Sequence, residues 1–68
     1  MASYRCYFLD SEDRVAATDL IACDADALAQ ARADILLLDC GYPGIEVWER
    51  DRMVYRARTA DARARAAS

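Results

Sequence analysis

Hydrophobic and polar residues alternate along the first third of the chain, and this alternation predicts two strands. The run SYRCYFLD, residues 3–10, places Tyr4, Cys6 and Phe8 on one face and leaves apolar residues on the other face as well. A period of two is the period of a β-strand. A short polar turn follows, and β-branched residues then resume an extended run over Val15–Cys23. The short spacer favours a hairpin between the two strands.

A different periodicity begins at Asp24 and predicts one helix over about residues 25–39. Asp24 is the expected N-cap, because its carboxylate can accept hydrogen bonds from free N–H groups of the first turn. Asp26 adds negative charge where the helix dipole favours it. Gly41 and Pro43 predict that the helix ends before them. One helical stripe is expected to pack on the sheet, and it consists of Leu28, Ala31, Ile35 and Leu38.

Strand-forming residues return in the segments Gly44–Glu49 and Met53–Arg58, which predict a second hairpin. A two-residue turn at Arg50-Asp51 would place Trp48 opposite Met53. A three-residue turn would place Trp48 opposite Val54 instead. Both registers stay open at this point, and the choice matters because a slip of one residue exchanges the two faces of a strand.

The predicted element order is β-β-α-β-β, which indicates the α+β class. We expect a four-stranded, mainly antiparallel sheet with one helix packed on one face. The helix joins the second strand to the third, so these two strands are either parallel neighbours or lie apart in the sheet. Residues 1–58 form the single predicted domain. Residues 59–68 are an Ala/Arg-rich tail without a large apolar side chain, flexible or helical, and we expect it to fray.

Three motifs resemble those of a family of very short, uncharacterised proteobacterial proteins. They are Y-x-x-Y-F-x-D from Tyr4, D-x-x-A-x-x-x-A from Asp24 and I-E-V-W from Ile45. The resemblance covers about residues 4–58 and implies a domain of unknown function with the same β-β-α-β-β pattern. It supplies no catalytic residue. The family often has glycine in the last hairpin turn, where this chain has Arg50-Asp51.

Composition shows how little core this chain can build. Of 68 residues, 56% are hydrophobic, but 15 of these are Ala and three are Cys, which leaves 20 large apolar side chains. A chain of this size buries only about 60% of its unfolded surface and is marginally stable alone. No apolar run approaches the ~20 residues of a membrane span. The richness in Ala, Arg and Asp is typical of a GC-rich bacterial coding background.

Charge and residue types restrict the chemistry. The net charge is −3, and the 11 acids and five arginines of residues 1–55 make that body strongly acidic, so we expect no nucleic-acid binding through it. The chain has no His, which removes Ser-His-Asp and Cys-His catalysis. The two glycine motifs that bind nucleotide phosphates, G-x-x-x-x-G-K-[ST] and G-x-G-x-x-G, are both absent from the sequence. We therefore expect no enzyme activity, no cofactor and no metal.

Three cysteines, Cys6, Cys23 and Cys40, form no C-x-x-C pair and cannot all be paired internally. Together with an N-terminus unlike a signal peptide, they predict a cytoplasmic protein whose thiols are small buried hydrophobes.

The function expected from these patterns is association rather than catalysis. One helix covers one face of a sheet, so the second face is left to carry apolar and aromatic residues. We expect a homodimer or a complex with another protein, because exposed apolar patches mark partner surfaces. An alternative is an antitoxin-like accessory module that binds nucleic acid or a partner protein through the sheet face and the basic tail. The candidate interface residues are Tyr7, Leu9, Trp48, Met53 and Tyr55.

Overall fold

A computed structural model describes the backbone of residues 2–67 and the side chains of residues 2–64. It has four strands and two helices in chain order. They are β1 (Ala2–Leu9), β2 (Val15–Cys23), α1 (Asp26–Cys40), β3 (Gly44–Glu49), β4 (Arg52–Arg58) and α2 (Thr59–Ala67).

The four strands form one antiparallel sheet in the order β2-β1-β3-β4, with α1 on one face, which confirms the predicted α+β class. Both predicted hairpins are present. The strands joined by α1 lie apart, because β1 pairs with both and separates them. The strands β1 and β3 therefore lie at the centre of the sheet, and β2 and β4 form its edges.

The core lies between α1 and the sheet. The alternation predicted for β1 is confirmed, and the face that carries Tyr4, Cys6 and Phe8 is the buried one. Ile45 and Val47 of β3 lie beside them and are fully buried. Burial of a Val, Ile or Phe side chain contributes about 1.5–3 kcal/mol, so this narrow layer stabilises the fold.

The predicted sheet-facing stripe of α1 is wrong. Ala29, Ala33 and Leu37 pack against the sheet and are at most 1% exposed, whereas Leu28 and Ile35 are 53% and 68% exposed. The large side chains of the core come from the strands, so the helix lies close to them through its alanines. Two aspartates also fix the rotation of α1, because the hydroxyl of Tyr4 donates to Asp26 and that of Tyr55 donates to Asp34.

The residues that were predicted to begin and end α1 are confirmed at its C-terminus but not at its N-terminus. The N-cap is Ala25, which makes no side-chain capping bond, so the prediction of Asp24 as the cap is wrong. Asp26 does lie in the first turn, as predicted. Tyr4 and Arg52 bond to its carboxylate, and this contact holds the helix start in place of a cap. Gly41 ends the helix with a φ of 80°, the left-handed conformation expected of a C′ glycine.

The β3–β4 hairpin combines a short turn with a bulge. Glu49 pairs with Arg52 and Trp48 with Met53, which is the register of a two-residue turn. The register then shifts, so that Val47 pairs with Tyr55. The extra residue moves Tyr55 onto the helix-covered face, where it reaches Asp34.

The tail beyond β4 forms α2, which packs against α1. Ala62 is only 1% exposed and belongs to the same core. The hydroxyl of Thr59 donates to the carbonyl of Tyr42 at 2.7 Å, and its N–H donates to the carbonyl of Pro43 at 2.9 Å. Neither helix in the described part of the chain has the length and hydropathy that a membrane crossing requires.

Candidate functional site

The candidate surface is the open face of the sheet, opposite α1. Strand pairing arranges its residues in three rows that run across the four strands. The apolar row consists of Leu20, Arg5, Trp48 and Met53. The middle row consists of Thr18, Tyr7, Glu46 and Arg56, and the last row of Val15, Leu9, Gly44 and Arg58.

Ion pairs occupy the β4 end of the middle and last rows. Arg56 lies 3.6 Å from Glu46 and 3.7 Å from Asp13, and Arg58 lies 3.3 Å from Asp13. Asp13 belongs to the turn between β1 and β2, where it has a positive φ of 62°. Asp10 holds this turn, because its carboxylate accepts hydrogen bonds from two backbone N–H groups of the turn, which lowers its pKa. The turn therefore links the β1–β2 hairpin to the edge strand β4 across the sheet.

The apolar row stays open to solvent. Leu20 is 65% exposed and Met53 48% exposed, while Trp48 and the neighbouring Tyr7 are half-buried. The indole N–H of Trp48 donates to Glu46 at 3.2 Å, which holds the ring along its own strand. Exposed Arg5 stands between Leu20 and Trp48 in the row. The row thus presents apolar contact area around one guanidinium.

The five sequence-predicted interface residues do not all share this face. Tyr7, Trp48 and Met53 lie on it together. Leu9 lies on the same face by its strand position but is only 3% exposed. Tyr55 lies on the opposite face, against α1. Sequence reasoning also missed Leu20, because the register of β2 was ambiguous until its pairing with β1 was known.

A hollow of about 950 Å³ adjoins the apolar row at one end of the sheet. Leu20 and Arg5 form one wall, and the β3–β4 turn at Arg50 forms another. The hollow is open, and its shape could accept a side chain from a facing surface.

A second polar cluster lies at the start of α1. The hydroxyl of Tyr4 donates to Asp26 at 2.8 Å, and Arg52 binds the same carboxylate at 3.0 Å and also Glu49 at 2.5 Å. Arg52 and Tyr4 together lower the pKa of Asp26. The hydrogen bond to Asp26, with burial, raises the pKa of Tyr4 to about 12. A phenol held in its protonated form is a poor base, so this cluster fits a structural clamp.

The three cysteine thiols differ in their burial. All three are free thiols, and Cys6 and Cys23 are buried. Burial raises the pKa of the Cys6 thiol to about 11, so it stays protonated at neutral pH. The described residues contain no group of three or more side chains placed to hold a metal ion.

No protein-family model, curated protein or solved structure matches this chain. Its function is therefore inferred from the geometry of the open face.

Proposed function

We propose that this chain is a non-catalytic association module that forms a homodimer through the open face of its sheet. The observation that carries the proposal is the exposed apolar row, which includes Leu20, Trp48 and Met53. Trp, Tyr and Arg are the residue types enriched at the energetic centres of protein interfaces, and Tyr7 and Arg5 adjoin Trp48 on this face.

The row is complementary to itself. Consider a two-fold axis that runs along the strands, midway between β1 and β3. It places Leu20 over Met53 of the second copy and Arg5 over the second copy's Trp48. Apolar groups then meet apolar groups, and each guanidinium lies against the face of an indole, a favourable contact of about 0.5–2 kcal/mol. Sheets packed in this way lie about 10 Å apart.

The charges on the open face are compatible with the same arrangement. The remaining charges on the face are largely paired with each other, as Arg56 is with Glu46 and Asp13, so close approach of two copies meets little net repulsion.

The mass of the protein in solution tests the proposal. Light scattering behind gel filtration at micromolar concentration should give twice the 7.6 kDa of one chain. Met53→Asp should shift the protein to monomer, because it places a carboxylate against the apolar side chain of Leu20 in the second copy. Ala60→Asp introduces the same charge at an exposed position on the other side of the molecule and should leave the dimer intact.

A wild-type mass of 7.6 kDa at these concentrations would contradict the dimer. A dimer that survives Met53→Asp and Trp48→Asp would place the interface elsewhere. A titration with labelled RNA in low salt tests the alternative function, nucleic-acid binding through the sheet face and the basic tail. The described part of α2 packs on the α1 side and does not extend the open face, so the test concerns the sheet face itself. Salt-sensitive RNA binding that is lost in Arg5→Ala would favour nucleic acid over a second copy.

A further inference from the structure

The outer side of α1 is a second exposed apolar surface, separate from the sheet face. Leu28, Ile35 and Leu38 are 53%, 68% and 38% exposed, and exposed Ala31 lies between them. We call these four residues the outer stripe. The opposite side of the same helix is buried on the sheet through Ala29, Ala33 and Leu37. A helix that is apolar on two opposite sides is typical of one covered on both sides.

The spacing of the outer stripe fits a second helix. Residues 28, 31, 35 and 38 are separated by three, four and three positions, the spacing of the seam between two packed helices. Small Ala31 near its middle permits close approach of a backbone. The stripe continues into a groove of about 310 Å³ between α1 and the edge strand β2, lined by Ile21, Arg32, Ile35 and Leu36.

A second copy of α1 is a poor occupant of the stripe. The midpoint of the stripe is residue 33, and the charged residues Arg32 and Asp34 flank it. In an antiparallel two-fold pair, groups beside the midpoint meet their own copies, so Arg32 would face Arg32 and Asp34 would face Asp34. In a parallel pair, Asp34 would face Asp39 of the second copy. Like charges beside a helix seam destabilise the pair and select against it.

The charge of α1 indicates the chemistry of a better partner. Asp26 is already paired with Arg52. The charges left beside the outer stripe are those of Asp24, Asp34, Asp39 and Arg32, a net charge of −2. We infer that the outer stripe docks an amphipathic helix of a different protein, with an apolar stripe and arginine or lysine on its flanks. The docked helix packs along α1 over the outer stripe, which is a form of helix-in-groove peptide recognition.

Two synthetic peptides test this inference. Both are helix-forming, of about 15–20 residues, with Leu at the spacing of the outer stripe, and they differ only in Arg or Glu at the flanking positions. Fluorescence anisotropy should show saturable binding of the Arg-flanked peptide. The Glu-flanked peptide should bind at least about tenfold more weakly, and this difference should shrink in high salt.

Two variants locate the binding. Ile35→Asp should weaken binding of the Arg-flanked peptide by at least about tenfold, because Ile35 is the most exposed large side chain of the stripe. Ala60→Asp adds the same charge at an exposed site on α2 and should bind as the wild type does. Circular dichroism confirms that each variant is folded.

Three results would overturn the inference: no binding of the Arg-flanked peptide at ~100 μM, equal binding of the two peptides, or unchanged binding by Ile35→Asp. A fall in oligomer mass on Ile35→Asp would show instead that a second copy occupies the stripe. The sheet-face dimer is tested separately, by Met53→Asp. Loss of the peptide-docking proposal therefore leaves the dimer proposal standing, and loss of the dimer proposal leaves peptide docking standing.

Discussion

Tyr4 and Asp26 show how single residues set the geometry of this fold. Tyr4 is buried in the centre of β1, and its hydroxyl reaches the first turn of α1. Arg52, at the start of β4, binds the same carboxylate from the other side. The residues are 22 and 26 positions apart in sequence from Asp26, so no local pattern could have paired them. They hold the start of α1 where a side-chain cap is missing.

The raised pKa of Tyr4 predicts a change in stability at high pH. The unfolded phenol ionises near pH 10 and the folded one at about 12. Tyr4 therefore stabilises the fold fully below pH 10 and loses that contribution between pH 10 and 12. Tyr4→Phe removes the hydroxyl and should reduce stability at pH 8, but by less at pH 11.5.

Urea unfolding of the two proteins at both pH values measures this difference. Cys6, whose pKa is also raised, titrates in both proteins and cancels in the comparison. A gap between wild type and Tyr4→Phe that is as large at pH 11.5 as at pH 8 would rule out this linkage.

At the scale of elements, α1 is where sequence and structure disagree. Its limits and its glycine stop were predicted to within one residue. Its rotation was not, because large aliphatic residues mark the outer stripe while alanines face the sheet. Hydrophobic periodicity assigns the larger side chains to the core, but packing depends on the volume that both partners fill. Here the strands already supply Tyr4, Phe8 and Ile45, and the helix adds two alanines and a single leucine, Leu37.

One pair of substitutions tests the rotation of α1 directly. Ala33→Leu inserts a large side chain into the fully buried contact with the sheet and should lower the free energy of unfolding by about 1–3 kcal/mol. Ala31→Leu makes the same change two residues away on the exposed side. It should change stability by no more than about 0.5 kcal/mol. Urea denaturation monitored by Trp48 fluorescence gives both values, and the reverse order would restore the predicted stripe.

At the scale of the whole molecule, α2 completes the core. The tail contains no large apolar residue, and its sequence gives little reason to pack. It packs because β4 delivers Thr59 beside the carbonyls of Tyr42 and Pro43, and because Ala62 fits against the core. The result is a layer of two helices over one sheet, 17 Å thick in its shortest dimension, with an apolar surface on each side.

A second pair of substitutions measures what α2 contributes. Ala62→Asp places a carboxylate at a buried position and should lower the free energy of unfolding by about 2 kcal/mol or more. Ala60→Asp, on the exposed side of the same helix, should have an effect within about 0.5 kcal/mol. Thermal unfolding followed by circular dichroism compares them. Equal melting temperatures for the two variants would show that α2 contributes no packing energy.

The sequence alone determined the fold class, the four strands, the limits of α1 and which residues of β1 share a face. Each depends on local periodicity, turn residues or a glycine stop, which act between neighbours in the chain. It also predicted that some apolar and aromatic side chains would lie on the second face of the sheet, since one helix covers one face.

Only the tertiary structure decided which residues share a surface. The bulge in β4 turned Tyr55 toward α1, the pairing of β2 with β1 brought Leu20 into line with Trp48, and long-range hydrogen bonds fixed the rotation of α1. These outcomes depend on register and on the balance of side-chain volumes between elements far apart in sequence. Such quantities are properties of the assembled sheet and helix, because a shift of one residue or a small rotation preserves every local preference while exchanging the exposed and buried sides.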